Sequence, residues 1–283
     1  MSEQLKIKKG AINFVWGAGK TYAGVQDQIF GLLEKQLPPG SVFHTVEDVV
    51  EDSVSISLFI RQGRDELSYR VPADIVMAHG IADKRYFHIQ NFNTGKPIAN
   101  EYEYLFIPGQ WHVNRIVESR YRRNPGWQMT VPDDRIVKTG WLRLDALIED
   151  EAKGDKEPHH WLRVLWAPTH NVTKGSTEEK VPSSYPGFRD HMNDISPFHI
   201  FRVSLHPRNR SDKDPTVGQL SWADVVISDF GTMVYEAWAL GKPVIFPRWC
   251  MDVESIITKH PRSAEAFIFR NRIGLHADSI EEM

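Results

Sequence analysis

Apolar positions along this chain fall into short blocks rich in β-branched and aromatic residues, alternating with segments where they recur every three or four positions. "AINFVWG" (11–17) predicts a buried strand, and behind it Val25, Ile29, Leu32, Leu33 and Leu37 keep a 3.6-residue period. "PPG" (38–40) is expected to stop that helix. "SVFHTV", "ADIVMAHG", "YEYLFIPG" and "DRIVKTG" predict further strands, "WHVNRIVESRYRRN" and "LDALIED" predict helices, and "SVSISLFIRQ" suits either. At 149–160 the texture changes to "EDEAKGDKEPHH", polar and almost free of large apolar side chains, as expected of a linker. Beyond it come "WLRVLWAP" as strand, a helix near 184–195, "FHIFRVSLHP" and "ADVVISD" as strands, "GTMVYEAWALG" as helix and "KPVIFPR" as strand.

Strands alternating with helices make βαβ units and a largely parallel sheet. Two such runs across a polar linker predict an α/β protein of two Rossmann-like domains facing each other across a cleft. Their expected bounds are 1–150 and 161–283, with 151–160 as the linker.

Composition narrows the partners. The chain has 283 residues, 41% hydrophobic and 25% charged, with a formal net charge of −3, so no basic excess points to nucleic acid. Cys250 is the lone cysteine, which excludes an internal disulfide framework and suits a reducing cytoplasm. No signal-peptide pattern follows the initial lysines, and the longest apolar stretches are strand-length. At most peripheral membrane contact is expected. "SRYRRNPGW" (119–127) interleaves arginines with aromatics; it reads as a solvated helix face, or as a grip on an anionic polymer or membrane edge.

"NFVWGAGKT" (13–21) ends like a phosphate-binding P-loop, Gly-x-x-x-x-Gly-Lys-Ser/Thr. Counting back from Gly19, the first glycine position holds Phe14, a bulky strand former that cannot open the loop. A tight strand-to-helix turn through Gly17 and Gly19 is the expectation instead. Two other imitations fall on context. "SDKD" (211–214) lies in a polar loop, and His159–His160 has neither HExxH nor paired cysteines around it.

More information lies in "ADVVISDFGTMVYEAWALGKPVIFP" (223–247), a strand, turn, helix, turn and strand. Gly231 and Thr232 fall at the helix start, where free N–H groups and the positive helix end make an anion site suited to a diphosphate. Glu236 stands one turn further, where a carboxylate can accept from both hydroxyls of a ribose. Asp229 is expected to cap this helix.

This stretch resembles the donor-nucleotide motif of GT-B transferases, especially the CDP-glycerol glycerophosphotransferase family of teichoic-acid-like polymers. More distantly it is similar to the turn of the non-hydrolysing UDP-N-acetylglucosamine 2-epimerases. The resemblance implies that Gly231 and Thr232 hold the pyrophosphate and Glu236 the ribose; the serine usual after the Asp is Phe230 here. "MAHGIADKRYF" (77–87), "FIPG" (106–109), "TGWLRLDAL" (139–147), "VLWAPTHN" (164–171) and "SLHPRNR" (204–210) resemble the family's other segments in order. The closing "ADSIEEM" would then stop inside the last helix of the second domain.

The roles that follow are expectations. The first domain is the acceptor side, where His79 takes the proton of an attacking hydroxyl, its ordinary pKa near 6.5 suiting neutral pH. His206 and Arg208 neutralise charge on the leaving nucleotide. Gly80, Asp83, Thr169 and His170 line the acceptor side or the cleft, an exposed charged turn being the other reading of Asp83. The expected reaction transfers a glycerophosphate or glycosyl group from a nucleotide-diphosphate donor, CDP-glycerol-like by preference, to an acceptor hydroxyl on an anionic polymer or glycan. No cofactor and no essential metal are expected. Three alternatives stay open: a nucleotide-sugar glycosyltransferase, a UDP-sugar 2-epimerase, and a non-catalytic nucleotide-binding module.

Overall fold

The computed structural model describes residues 11–16, 23–45, 53–58, 74–82, 87, 94–154, 160–171, 182–195, 199–206, 209 and 217–283. The chain divides into two compact units: Met1–His79 with Arg85–Arg143, and Gly80–Lys84 with Leu144–Met283.

The first unit contains β1 (Ala11–Val15), α1 (Ala23–Glu34), β2 (Val42–Thr45), β3 (Ser53–Ser57), β4 (Ile75–Met77), β5 (Tyr104–Ile107), α2 (Gln110–Ser119) and β6 (Ile136–Lys138). The strands form one sheet in the order β2-β1-β3-β4-β5-β6, every neighbouring pair parallel. The ambiguous "SVSISLFIRQ" resolves as β3 over its first part. Ser55, Ile56 and Ser57 are all buried, because a parallel strand is covered on both faces and shows no clean alternation. Of its two buried serines, Ser55 accepts from Asn13 Nδ2 through its Oγ at 3.2 Å. The Ser55 N–H donates to Asp74 Oδ2 at 2.8 Å, tying β3 to the entry of β4.

Phe14 is fully buried in β1 and stacks on Phe30 of α1, ring centroids 4.5 Å apart. A core phenylalanine at that position is incompatible with the opening turn of a P-loop, as its residue type suggested; residues 17–22 lie outside the described ones. In "SRYRRNPGW", α2 stops at Ser119 and Arg120 turns back to the unit, donating to Val131 O and pairing with Asp133 at 2.6 Å. Tyr121 is 83% exposed.

The second unit is entered through α3 (Leu142–Lys153) and contains β7 (Leu162–Ala167), β8 (His199–Val203), α4 (Val217–Trp222), β9 (Val225–Ser228), α5 (Thr232–Ala239), β10 (Val244–Pro247), α6 (Val253–Lys259), α7 (Ala264–Asn271) and β11 (Leu275–Ala277). Its sheet runs β11-β10-β9-β7-β8, again all parallel. In both sheets the first strand of the unit has the second on one side and the third on the other, the doubly wound arrangement with a topological switch point.

The charged stretch from 149 begins as the end of α3. Leu147 is buried in this unit's core, Ser221 Oγ donates to Asp150 Oδ2 at 2.6 Å, and Lys242 pairs with Glu151 at 3.0 Å while donating to Ala223 O. Residues 155–159 lie outside the described ones. The helix expected near 184–195 is a single 3₁₀ stretch, Gly187–His191, preceded by Pro186. A Pro-Gly pair favours a tight turn over a longer α-helix. The final segment differs from expectation as well: Ala277 closes β11, and Ile280–Glu282 is a single 3₁₀ turn.

Asp224 locks the amino ends of β7 and β9. It accepts the Arg163 backbone N–H at 2.8 Å and the Arg163 guanidinium at 2.7 Å, which sets the register Val164 opposite Val225. These hydrogen bonds hold its carboxyl below the usual range, against a smaller opposing effect of burial. The stability this contributes is present above the ordinary value of 3.8 and is lost as pH falls through the lower folded value. Asp224→Ala is expected to cost about 1–2 kcal/mol in urea unfolding at pH 7. An unchanged midpoint would contradict the clamp.

Candidate functional site

The carboxyl ends of β7 and β9 flank the switch point of the second sheet, where ligands of such sheets collect. The loop leaving β7 carries Thr169 and His170; the turn leaving β9 carries Asp229, Phe230 and Gly231 before α5 begins at Thr232. Gly231 is the N-cap of α5, with φ 118°, a left-handed conformation that L side chains adopt at a cost. It offers no side-chain cap. The first N–H groups of a helix have no partner within it, so the uncapped start of α5 presents donors and the positive helix end together. Glu236, four residues after Thr232 and on the same helical face, is 1% exposed.

Asp229 does not cap α5, contrary to the sequence expectation. It is fully buried, and its Oδ2 accepts the Thr169 N–H at 3.0 Å and the Ser183 hydroxyl at 2.9 Å. Ser183 Oγ also lies 2.8 Å from Thr169 O and accepts the Tyr185 N–H. Ser184, itself the acceptor for Trp166 Nε1 at 3.0 Å, is a further hydrogen-bond partner of Asp229. The carboxylate therefore faces back towards β7 rather than forward along α5, and ties together three chain segments remote in sequence. Burial outweighs these hydrogen bonds and pushes its pKa up to about 6.

Cys250, in the 3₁₀ turn after β10, is a poor nucleophile. Burial, with the negative charge of Asp229 adding to it, pushes the thiol up to about 12.

The remaining expected site residues divide clearly. His170 and His206, at the ends of β7 and β8, come together with ring centroids 4.8 Å apart in an edge-on arrangement. Asn209 donates to Asn171 beside them, and its own N–H bonds His206 O at 2.7 Å. Thr169 is buried and engaged through its backbone. His79 follows β4 by two residues in the first unit. Gly80, expected on the acceptor side, counts with the second unit and packs against Thr232. Asp83 and Arg208 lie outside the described residues, as does "SDKD". Ser183, Ser184 and Ile81 escaped the sequence reading. Only the "SSYPG" turn signal marked the first two, and Ile81 was marked only as a member of "MAHGIADKRYF", with no role of its own.

By sequence, no family model and no curated protein matches this chain. By fold, it is similar to solved structures of the wall teichoic acid polymerase TagF. A histidine-to-asparagine variant soaked with CDPG matches with a TM-score of 0.55 and 14% identity, covering 88% of this chain and 72% of that one. A second CDPG soak matches with a TM-score of 0.53 and 12% identity, covering 98% and 80%. A UDP-GlcNAc 2-epimerase from Neisseria meningitidis, bound to UDP-GlcNAc, has a TM-score of 0.46 and 14% identity over 88% and 85%. The GT-B resemblance read from the order of the motifs is thus borne out in the fold, two Rossmann-like α/β units. Among the described residues no helix is long and apolar enough to cross a membrane.

Proposed function

We propose that this chain is a cytoplasmic transferase that moves a glycerophosphate or glycosyl group from a nucleotide-diphosphate donor to an acceptor hydroxyl, a CDP-glycerol-like donor being favoured. The observation carrying this reading is the uncapped start of α5 at Gly231, opening at the switch point of the second sheet with Glu236 buried one turn behind it. An anionic diphosphate meets N–H donors there, and a carboxylate one turn on has the reach to accept from ribose hydroxyls. The fold shared with TagF, soaked with CDPG, supports the choice of donor class.

In this reading the acceptor oxygen attacks the transferred phosphorus or anomeric carbon and gives its proton to His79. The bond to the nucleotide breaks, and CMP leaves from a glycerophosphate donor or a nucleoside diphosphate from a sugar donor. The start of α5, His206 and Arg208 stabilise the charge that builds on the leaving phosphate, a role that preorganised donors perform without an essential metal. The acceptor is a hydroxyl of an anionic polymer or a glycan.

A thermal-shift panel with CDP, CMP, UDP, GDP and ATP, each with and without magnesium, tests the reading. A ligand at 100 times its Kd adds about 2.7 kcal/mol, or roughly 5–10 °C for a domain of this size. The expected result is a magnesium-independent shift with CDP, lost in Glu236→Ala. A UDP-only shift would move the assignment to a sugar donor, and a shift with ATP only when magnesium is present would refute the site altogether.

A further inference from the structure

Gly80 and Ile81, which count with the second unit, meet the start of α5 through one side chain. The Ile81 N–H donates to Thr232 Oγ1 at 3.2 Å, joining residues 151 apart in the chain. Immediately before it, a Cβ built on Gly80 would stand 2.6 Å from that same oxygen, closer than side chains tolerate. Gly80 has no left-handed φ to explain its identity, so it is space, not backbone conformation, that asks for glycine here. A hydrogen bond and a close approach thus place one two-residue turn on one hydroxyl.

A hydroxyl has one proton and two lone pairs. Ile81 occupies a lone pair of Thr232, which leaves the proton to be given elsewhere. Threonine, branched at Cβ, has few χ1 positions, and the contact with Gly80 narrows them further. Thr232 is also the first residue of α5, beside the N-cap Gly231 that supplies no side-chain donor or acceptor of its own.

We infer that Gly80 and Ile81 are positioning residues of the nucleotide site, holding the Thr232 hydroxyl so that its proton is presented to a phosphate oxygen bound at the start of α5. This rests on the nucleotide reading above and assigns Gly80 to the donor side rather than the acceptor side. It also makes the Gly80–Ile81 turn and the bound diphosphate mutually stabilising, since the hydroxyl engages both at once.

The test is a calorimetric CDP titration of the full chain and three variants, with hydrogen exchange at the Ile81 amide in the absence of ligand. Thr232→Val, which keeps the shape and removes the hydroxyl, is expected to speed Ile81 exchange and weaken CDP binding about 10- to 100-fold. Thr232→Ser is expected to restore both. Gly80→Ala leaves Thr232 in place but crowds it, and about a 10-fold loss of CDP affinity is expected. If Gly80→Ala and Thr232→Val both bind CDP as the wild type does, the positioning role is overturned while the nucleotide site stands. The same holds if Ile81 exchange is indifferent to Thr232→Val. A wild-type chain that binds neither CDP nor any other nucleotide of the panel overturns both.

Discussion

His79→Ala is expected to bind CDP with the thermal shift of the wild type and to lose transfer activity by about 10²- to 10⁴-fold, the usual range for removing a positioned general base. The proposed reaction needs a group that accepts a proton near neutral pH, and imidazole is the side-chain type suited to that task; His79 supplies one two residues after β4. Because the nucleotide is assigned to α5 of the second unit and the base to the first, the two properties should separate in one variant. Product formation is followed with CDP-glycerol and a polyol or glycan acceptor, and bound nucleotide by thermal shift. A variant that keeps both would leave the chain a transferase with a different base. A wild-type chain that binds CDP yet transfers nothing to any acceptor would favour the non-catalytic binding module.

The second large effect concerns Asp229. Its folded pKa of about 6 stands above the ordinary 3.8, so between these values the folded state holds more protons than the unfolded one. Stability is therefore highest below pH 3.8 as far as this group is concerned, falls as pH rises towards 6, and is flat above that value. A shift of this size corresponds to roughly 3 kcal/mol between the protonated and ionised forms. Asp229→Asn keeps an acceptor for the Thr169 N–H and the Ser183 hydroxyl but cannot ionise, and is expected to remove that slope. Asp229→Ala leaves the buried Thr169 N–H unmatched, at about 1–3 kcal/mol, while the Ser183 hydroxyl keeps Thr169 O as an acceptor; the loss is offset in part above pH 6 by the buried charge it removes. Urea unfolding from pH 4.5 to 8 decides the matter. Parallel pH dependence in the wild type and Asp229→Asn would show that another group carries the titration.

That carboxylate also illustrates how far a linear sequence can be read. "ADVVISDFGT" predicts a strand, a glycine turn and a helix, and β9 and α5 occur as expected. Asp just ahead of a helix expected to start at Gly231 suits a cap, however, and pattern alone cannot distinguish a cap from a carboxylate committed to partners 60 and 46 residues away. α6 and α7 carried local signals that could have marked them, since Asp252 and Ser263 cap their starts by accepting from Ser255 N–H and Ala266 N–H. β11 carried none: three residues give no period, and its place is decided by pairing with β10.

What the sequence determined by itself was local in origin. Buried parallel strands need continuous β-branched and aromatic runs, helices that cover them need a 3.6-residue period, and the left-handed turn at 231 needs glycine. Those requirements are written where they act, so the α/β class, the two-unit organisation, the buried strand through Phe14 and the opening of α5 could be read directly. The tertiary structure decided what depends on which segments meet. It gave Asp229 to Thr169 and Ser183, brought His170 beside His206, and set Gly80 and Ile81 against Thr232. A hydrogen bond between residues 151 apart leaves no trace in the periodicity of either neighbourhood. It exists because the folded second unit brings the Gly80–Lys84 segment within bonding distance of the start of α5.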